Sequence, residues 1–373
     1  MNARGSLGLG LIGCGGFGEF CLDAFSQMAE VHVAAVADTF AGAAERLGAT
    51  FGVPAETDPM ALIAREEVNL VHVATPPSSH HELVMASIAA GKHVLCEKPL
   101  ATRLADADEM LAAAEKAALV LPVNFVLRYN PVTDAVKAVI DSGALGKVLG
   151  GRLTNCAGDS KLGPGHWFWD KPVSGGIFVE HGVHFFDLYT HWLGAGEVID
   201  AHTETRENSP QEDRVMCTLR FESGAVANHY HGFDQVLLLD RTDHRLVCEL
   251  GDIRVDGWIP LSLSIDAVVD DEAEAALRAA CPRAEVEVTE TYEGEAAQPI
   301  GRGVRRHVSR RIRLDCTPRP DKQSVYGDSV RALLADQIAY IRDRSHPRRI
   351  AESNGRAALA LATRAVELAA AKE

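Results

Sequence analysis

The chain has 373 residues and a formal net charge of −15, with 47% hydrophobic and 24% charged residues. That length exceeds the usual size of one hydrophobic core, so we expect two domains. A net-acidic surface repels phosphate backbones and anionic lipids, and no apolar run approaches the ~20 residues that cross a bilayer. We therefore expect neither a nucleic acid nor a membrane as a partner.

Short apolar strands alternate with helical segments through the first third of the chain. The predicted strands are 7–12, 31–37, 70–74, 93–96 and 120–125. Helices are expected at about 17–29, 41–47, from Asp58-Pro59 onward, 80–90 and 102–118. Such alternation predicts a parallel sheet with helices on both faces, and hence an α/β Rossmann dinucleotide-binding domain over 1–127.

The pattern becomes β-rich after residue 127. We predict a strand at 147–156, a helix at 174–193, and hairpins at 216–221 with 225–231 and at 245–250 with 253–258. Residues 283–320 are polar and indicate a solvated edge or loop, and two helices, 325–342 and 355–371, close the chain. The expected second domain, 128–373, is α+β with a large, mostly antiparallel open sheet, against which a partner subunit can pack. A homo-oligomer, dimer or tetramer, would form through that open sheet face.

The segment Gly13-Cys14-Gly15-Gly16-Phe17-Gly18 fits G-x-G-x-x-G between a predicted strand and a predicted helix. In that context Gly13 permits a tight turn, Gly15 lets backbone approach a pyrophosphate, and Gly18 lets the helix pack close to the strand. The helix amino terminus, with Gly16 and Phe17, presents free N–H groups and a positive dipole to the diphosphate. These five residues are predicted to bind a dinucleotide.

Asp38 stands twenty positions after Gly18, at the end of the second predicted strand. A carboxylate there accepts hydrogen bonds from ribose hydroxyls and repels a 2′-phosphate. The following Thr39 and Phe40 supply no compensating arginine. The sequence therefore favours NAD over NADP as cofactor.

Four further stretches resemble the glucose–fructose oxidoreductase / inositol dehydrogenase / rhizopine-catabolism (Gfo/Idh/MocA) family. They are VHVATPPSSH at 71–80, CEKPL at 96–100, NFVLRYNP at 124–131 and GGIFVEHGVHFFD at 175–187. The resemblance implies that Thr75, Pro76, His80, Glu97 and Lys98 lie at the cofactor. It covers about residues 7–195 and, more weakly, the final helices, and it implies that the last helix packs back toward the first domain.

Hydride transfer from an alcohol carbon requires loss of the hydroxyl proton and a donor or cation at that oxygen. Lys98 follows a strand end on the side of the sheet where doubly wound folds bind ligands, and its ammonium could hold the oxygen. Glu180 and His184 are four residues apart, so a helix places them on one face, where His184 could exchange the proton. Glu180 could orient His184 or tune its charge. The family resemblance implies the same roles for Lys98 and His184, with the helix acid supporting them. Here that acid is Glu180 where the family usually has aspartate, and its extra methylene could let it relay to Lys98 or contact the substrate.

Other residues are candidates for substrate contact. The aromatic stretch 165–172 contains Trp167, whose ring can cover the apolar face of a sugar or simply be buried, and His166, which can meet a substrate hydroxyl. Arg128 and Tyr129 resemble pocket residues of the family, although Arg128 could equally form a structural ion pair. The histidines and the eight scattered cysteines complete no recognised ligand set, so no metal is predicted.

The cysteines form no CxxC pair, and the amino terminus lacks the apolar stretch and cleavage site of a signal peptide, so we expect reduced thiols and a cytoplasmic protein. The leading functional hypothesis is an NAD(P)-dependent dehydrogenase or reductase acting on CH–OH groups of a sugar, amino sugar or cyclitol. Two alternatives stay open: a glycoside hydrolase assisted by NAD, and a catalytically silent ligand-sensing protein on the same scaffold.

Overall fold

The computed structural model describes residues 5–160 and 162–372. These residues form two compact units, each assembled from separated stretches of chain. The first contains the described part of Met1–Val126, with Pro164–Asp187 and Tyr326–Thr363. The second contains the described part of Leu127–Gly163, Leu188–Val325 and Arg364–Glu373. The division into domains 1–127 and 128–373 stays a prediction.

A five-stranded parallel sheet is the centre of the first unit. Its strands are β1 (Leu7–Ile12), β2 (Val31–Ala37), β3 (Ala55–Glu56), β4 (Leu70–Val73) and β5 (His93–Cys96). They lie in the order β3-β2-β1-β4-β5, and each neighbouring pair is parallel. Every residue of β1 and β4 is buried, as expected for strands covered on both faces. The predicted Rossmann fold is thereby confirmed.

Helices connect and cover these strands. They are α1 (Gly16–Ser26), α2 (Ala41–Phe51), α3 (Pro59–Ile63), α4 (His80–Ala89) and α5 (Leu104–Lys116). The start of α3 follows the sequence prediction: the Asp58 side chain accepts a hydrogen bond from the Met60 amide at 2.9 Å, and Pro59 occupies the first turn. The carboxyl ends of the strands and the amino ends of these helices therefore share one edge of the sheet.

The predicted strand at 120–125 is wrong. This segment does run beside β5, since the amides of Val94 and Cys96 donate to the carbonyls of Val120 and Pro122 at 2.9 and 3.0 Å. One isolated bridge, Cys96 to Val123, is formed there. Because Pro122 has no N–H, the segment cannot donate a ladder hydrogen bond at that position.

The second unit is built on a nine-stranded sheet. Its strands are β6 (Val148–Cys156), β7 (Gly196–Thr205), β8 (Glu212–Phe221), β9 (Val226–Gly232), β10 (Arg241–Cys248), β11 (Gly251–Asp256), β12 (Ser262–Val269), β13 (Glu285–Thr291) and β16 (Arg310–Cys316). The order is β13-β16-β12-β11-β10-β6-β9-β8-β7, and every pairing is antiparallel except that of β6 with β9. The predicted large, mostly antiparallel sheet is confirmed, including both hairpins.

Burial alternates along the strands of this sheet. In β8, Val215, Cys217 and Leu219 are buried, whereas Met216 and Arg220 are exposed. His229 and His231 of β9 are both buried on the covered face, as their spacing of two residues along a strand requires. The polar region 283–320 contains the edge strand β13, its neighbour β16, and a two-stranded ribbon of β14 (Ile300–Gly301) and β15 (Val304–Arg305).

The remaining helices are α6 (Pro131–Ser142), α7 (Lys171–Ser174), α8 (Val183–Leu193), α9 (Asp271–Ala280), α10 (Lys322–Arg342) and α11 (Glu352–Ala370). The amino-terminal half of α11 contacts other parts of the first unit. The Glu352 carboxylate accepts a hydrogen bond from the Leu121 amide at 3.2 Å, and Arg356 pairs with Asp108.

Candidate active site

The segment that carries Glu180 and His184 is not the single helix predicted over 174–193. Helix α7 ends at Ser174, and Gly175 and Gly176 both have φ of +84°, a left-handed conformation that costs glycine little. A π-helical turn, Phe178–Gly182, then precedes α8. Such single π turns inside helical segments frequently occur at functional sites. Glu180 lies in this turn, and His184 lies in the first turn of α8.

Lys98 reaches this π-helical turn from the end of the first sheet. Its Nζ donates to the Glu180 carbonyl oxygen at 2.9 Å and also contacts Glu180 Oε1. The two side chains are 17% and 11% exposed, so the pair is largely but not fully shielded from water. Because an ammonium has three N–H donors, one remains beyond these two contacts.

His184 is buried, with 8% of its surface exposed. Its ring centroid lies 6.5 Å from that of Phe125 and 6.4 Å from that of His181. Burial, with a smaller contribution from the charge of Lys98, lowers the pKa of His181 to about 3, so this imidazole is neutral. Sequence reasoning did not select His181. Its place in the chain, directly after Glu180, could have drawn attention to it.

His80 connects two loops of the site. Its fully buried ring lies 2.9 Å from the Thr75 carbonyl and 2.7 Å from the Pro99 carbonyl. Burial lowers the pKa of His80, although its contacts with the two carbonyls act in the opposite direction. The neutral ring has one N–H and therefore donates to one of the two carbonyls at a time. The histidine thus ties the loop after β4, with half-buried Thr75 and Pro76, to the loop that carries Lys98. Direct contact of these residues with a cofactor stays a prediction.

Glu97 points into the protein interior. Its Oε1 lies 3.0 Å from His72 Nε2 and accepts a hydrogen bond from Asn124 Nδ2 at 2.6 Å. Cys21, His72 and Glu97 place their ligand atoms within 4.8 Å of one another, a grouping that could hold a metal ion. Since Glu97 already accepts from His72 and Asn124, we interpret the grouping as a hydrogen-bonded network that anchors the residue before Lys98.

The glycine loop leaves room for a ligand at some positions and none at others. A Cβ on Gly13 would lie 2.3 Å from the Ala74 carbonyl oxygen, and φ there is +101°. A Cβ on Gly18 would lie 2.1 Å from the Gly13 carbonyl oxygen, whereas a Cβ on Gly15 or Gly16 meets nothing within 4 Å. This open space at the start of α1 fits a diphosphate bound by the amino-terminal amides. Phe17 beside it is partly exposed and lies 5.9 Å from the Tyr326 ring.

Asp38 lies beside the glycine loop. Its Oδ2 accepts from the Cys14 amide and its Oδ1 from the Phe40 amide, both at 2.8 Å. These hydrogen bonds fix the carboxylate at the carboxyl end of β2, where sequence reasoning placed it. The structure also brings Arg46 of α2 to this position: its Nη2 lies 3.5 Å from the Cys14 carbonyl oxygen. Sequence reasoning missed this arginine because it considered only the residues directly after Asp38.

The predicted substrate residues lie in different parts of the chain. His166 caps a 3-10 turn, Trp167–Trp169, by accepting from the Phe168 amide through Nδ1 at 3.2 Å, and its ring lies 5.3 Å from that of Trp167. Helix α7, which follows, contacts the turn Pro77–Ser79 after β4. Arg128 and Tyr129 are buried in a 3-10 turn and belong to the second unit. Their contact with a substrate stays a prediction.

Family models match most of both units. Residues 7–125 match the model of the oxidoreductase family with an NAD-binding Rossmann fold, GFO_IDH_MocA, and residues 133–254 match the GFO/IDH/MocA C-terminal domain. The chain belongs to the GFO/IDH/MocA oxidoreductase family. The resemblance inferred from the sequence motifs is confirmed.

Curated relatives include a 1,5-anhydro-D-fructose reductase of Ensifer adhaerens, 35% identical over 46% of this chain and 53% of its own length. A myo-inositol 2-dehydrogenase of Thermotoga maritima is 30% identical over 61% of this chain and 70% of its own length. The chain thus spans about half of the first relative. A levoglucosan dehydrogenase in complex with NADH and L-sorbose has the same fold, with a TM-score of 0.78 and 22% identity over 99% of this chain and 98% of that one. Other solved structures with this fold hold NAD+ or NADP.

A search of the helices in the described part of the chain finds none with the length and apolar character required to cross a membrane.

Proposed function

We propose that the chain is an NAD(P)-dependent oxidoreductase that interconverts a secondary alcohol and a ketone on a sugar, amino sugar or cyclitol. The observation that carries the proposal is the contact of Lys98 with the π-helical turn of Glu180, one helical turn before His184. The relatives described above are named dehydrogenases and reductases, which favours this activity over the glycoside hydrolase and ligand-sensing alternatives.

Each residue has a role that follows from its surroundings. Glu180 holds the Lys98 ammonium by two contacts, and the remaining N–H can donate to the substrate oxygen. That cation lowers the pKa of the hydroxyl it touches and stabilises the alkoxide character that develops there. His184 then takes the hydroxyl proton in the oxidation and returns it in the reduction. A nicotinamide dinucleotide, held by the glycine loop at Gly15 and Gly16 and by Asp38, would supply the hydride acceptor in the oxidation.

Glu180 stands where the family usually has aspartate, and its longer side chain contacts Lys98. Its backbone carbonyl and its carboxylate both contact the same ammonium, so the longer side chain folds back to Lys98. In this proposal Glu180 positions the lysine and supports substrate binding through it.

NAD is the preferred cofactor in this proposal, because Asp38 presents a fixed carboxylate at the position where ribose hydroxyls bind. The eight cysteines are all buried free thiols, which supports the proposal of a reducing, cytoplasmic location.

We also propose a homo-oligomer, dimer or tetramer, formed through the open sheet face. Exposed Met216, Val226 and Val247 supply apolar area there among the charged residues. Light scattering of the purified protein would test this; a monomer would contradict it.

A screen of polyols, cyclitols and keto-sugars with NAD(H) and NADP(H), followed at the absorbance of the reduced nicotinamide, tests the activity. With the substrate in hand, Lys98→Met and His184→Ala should each lower kcat by about 10²–10⁴-fold while NADH still binds. Lys137→Met and His81→Ala, which remove an exposed lysine and an exposed histidine, are the matched controls and should keep full activity. Full turnover in either site variant would reject the assigned roles.

A further inference from the structure

Asp38 and Arg46 both contact Cys14 of the glycine loop, and Glu19 pairs with Arg46. The Cys14 amide donates to Asp38 Oδ2 at 2.8 Å, and its carbonyl oxygen lies 3.5 Å from Arg46 Nη2. The other end of that guanidinium is occupied, since Arg46 Nη1 donates to Glu19 Oε1 at 2.6 Å. Burial, with smaller contributions from Asp38 and Glu19 and against the opposing charge of Arg46, raises the pKa of the Cys14 thiol to about 12. The charges of Asp38, Glu19 and Arg46 therefore all act on Cys14.

In the Rossmann arrangement, the surroundings of Asp38 distinguish NAD from NADP. The cofactors differ by a 2′-phosphate on the adenosine ribose, which Asp38 faces in the Rossmann arrangement, and a guanidinium is the usual partner of that phosphate. Arg46 has the required chemistry and lies against the same loop residue as Asp38. The Arg46–Glu19 pair is about half exposed on both sides, at 50% and 42%. Exposed ion pairs of this kind are weak, so Glu19 orients the Arg46 side chain but does not prevent it from moving to another partner.

We propose that Glu19 is a second determinant of cofactor choice: it engages the guanidinium of Arg46 and adds a negative charge against a 2′-phosphate. This inference rests on the proposed function, in that a dinucleotide binds at the glycine loop. It assigns the selection of NAD to three side chains on three elements: Asp38 after β2, Glu19 on α1 and Arg46 on α2. Asp38 alone is the determinant that the sequence pattern indicates.

The test measures the binding of NADH and NADPH to the purified full-length chain by nicotinamide fluorescence, which requires no substrate. In Glu19→Gln, the affinity for NADPH should rise about five- to tenfold while that for NADH changes less than twofold, because Arg46 becomes available to the phosphate and one repulsive charge is removed. Adding Arg46→Met to Glu19→Gln should cancel most of the gain. Asp23→Asn, which removes the same charge from the exposed side of α1, is the matched control and should leave the ratio of the two affinities unchanged.

Two outcomes would overturn the inference: a ratio in Glu19→Gln within twofold of the wild-type ratio, or a full gain that persists in the double variant. Both would leave the proposed function intact, since both nucleotides would still be measured as ligands. If the wild-type chain bound neither nucleotide, the proposed function would fail and this inference with it. Thermal melting of each variant, expected within about 2 °C of wild type for exposed substitutions, confirms that folding is retained.

Discussion

Alanine substitutions in the glycine loop separate the glycines that the fold requires from the glycine that the cofactor requires. Gly18 is buried, and a Cβ there would lie 2.1 Å from the Gly13 carbonyl oxygen and 3.4 Å from Ala74 Cβ. Normal contact with that oxygen would require the backbone of β1 and α1 to move apart by more than an ångström. Overpacking of this kind costs about 1–3 kcal/mol. At about 2–4 °C per kcal/mol, Gly18→Ala should melt roughly 2–12 °C below wild type.

Gly15 and Gly16 should behave differently, because a Cβ on either one meets nothing within 4 Å. Gly15 has φ of −71° and ψ of 176°, which alanine adopts without strain. Gly15→Ala should therefore change the free energy of unfolding by less than about 0.5 kcal/mol. It should still weaken NADH binding about tenfold or more, since the new methyl group fills the space through which a pyrophosphate approaches the backbone. Gly16→Ala, in the first turn of α1, is the control for stability and should match or slightly exceed wild type.

Thermal and urea melts of the three variants, together with NADH titrations, check these values. Gly18→Ala with wild-type stability would refute the packing argument. Gly15→Ala with wild-type stability and wild-type NADH affinity would refute the assignment of the open space at α1 to the diphosphate.

Two further predictions concern the buried histidines. His72→Phe takes one donor from buried Glu97 and should lower the free energy of unfolding by about 3 kcal/mol. His81→Ala breaks the exposed pair with Glu109 and should lower it by less than about 1 kcal/mol. Equal urea midpoints in the two variants would contradict the role of the network. Burial lowers the pKa of both His181 and His244 to about 3, with Lys98 adding to the effect on His181. The unfolded chain therefore binds more protons below pH 6.5, and stability should be full above that pH and fall as the pH drops toward 3, by about 2 kcal/mol per histidine at pH 5. Urea melts at pH 7.5 and 5.0 measure this; an unchanged midpoint would contradict it.

The motifs predicted those parts of the site that depend on local order along the chain. G-x-G-x-x-G between a strand and a helix, with Asp38 twenty residues later, was sufficient to predict the Rossmann sheet, and the structure shows β1, α1 and β2 at those positions. The β-rich runs between 216 and 258 predicted both hairpins of the second sheet. The predictions failed at 120–125 and 174–193, because Pro122 cannot donate to a ladder and Gly175-Gly176 adopt left-handed φ.

The amino-acid sequence by itself determined the family, the strand and helix periodicities, and the identities of Lys98, Glu180 and His184 as candidates. Tertiary structure decided which groups touch. It put the Lys98 ammonium on both the carbonyl and the carboxylate of Glu180, turned Glu97 inward to His72 and Asn124, and brought Arg46 to both Glu19 and the Cys14 carbonyl. The physical reason is that hydrogen bonds and ion pairs act over a few ångströms in space, whereas sequence patterns report spacing along the chain. Residues separated by 82 positions, as Lys98 and Glu180 are, meet only after the sheet and the π-helical turn have formed.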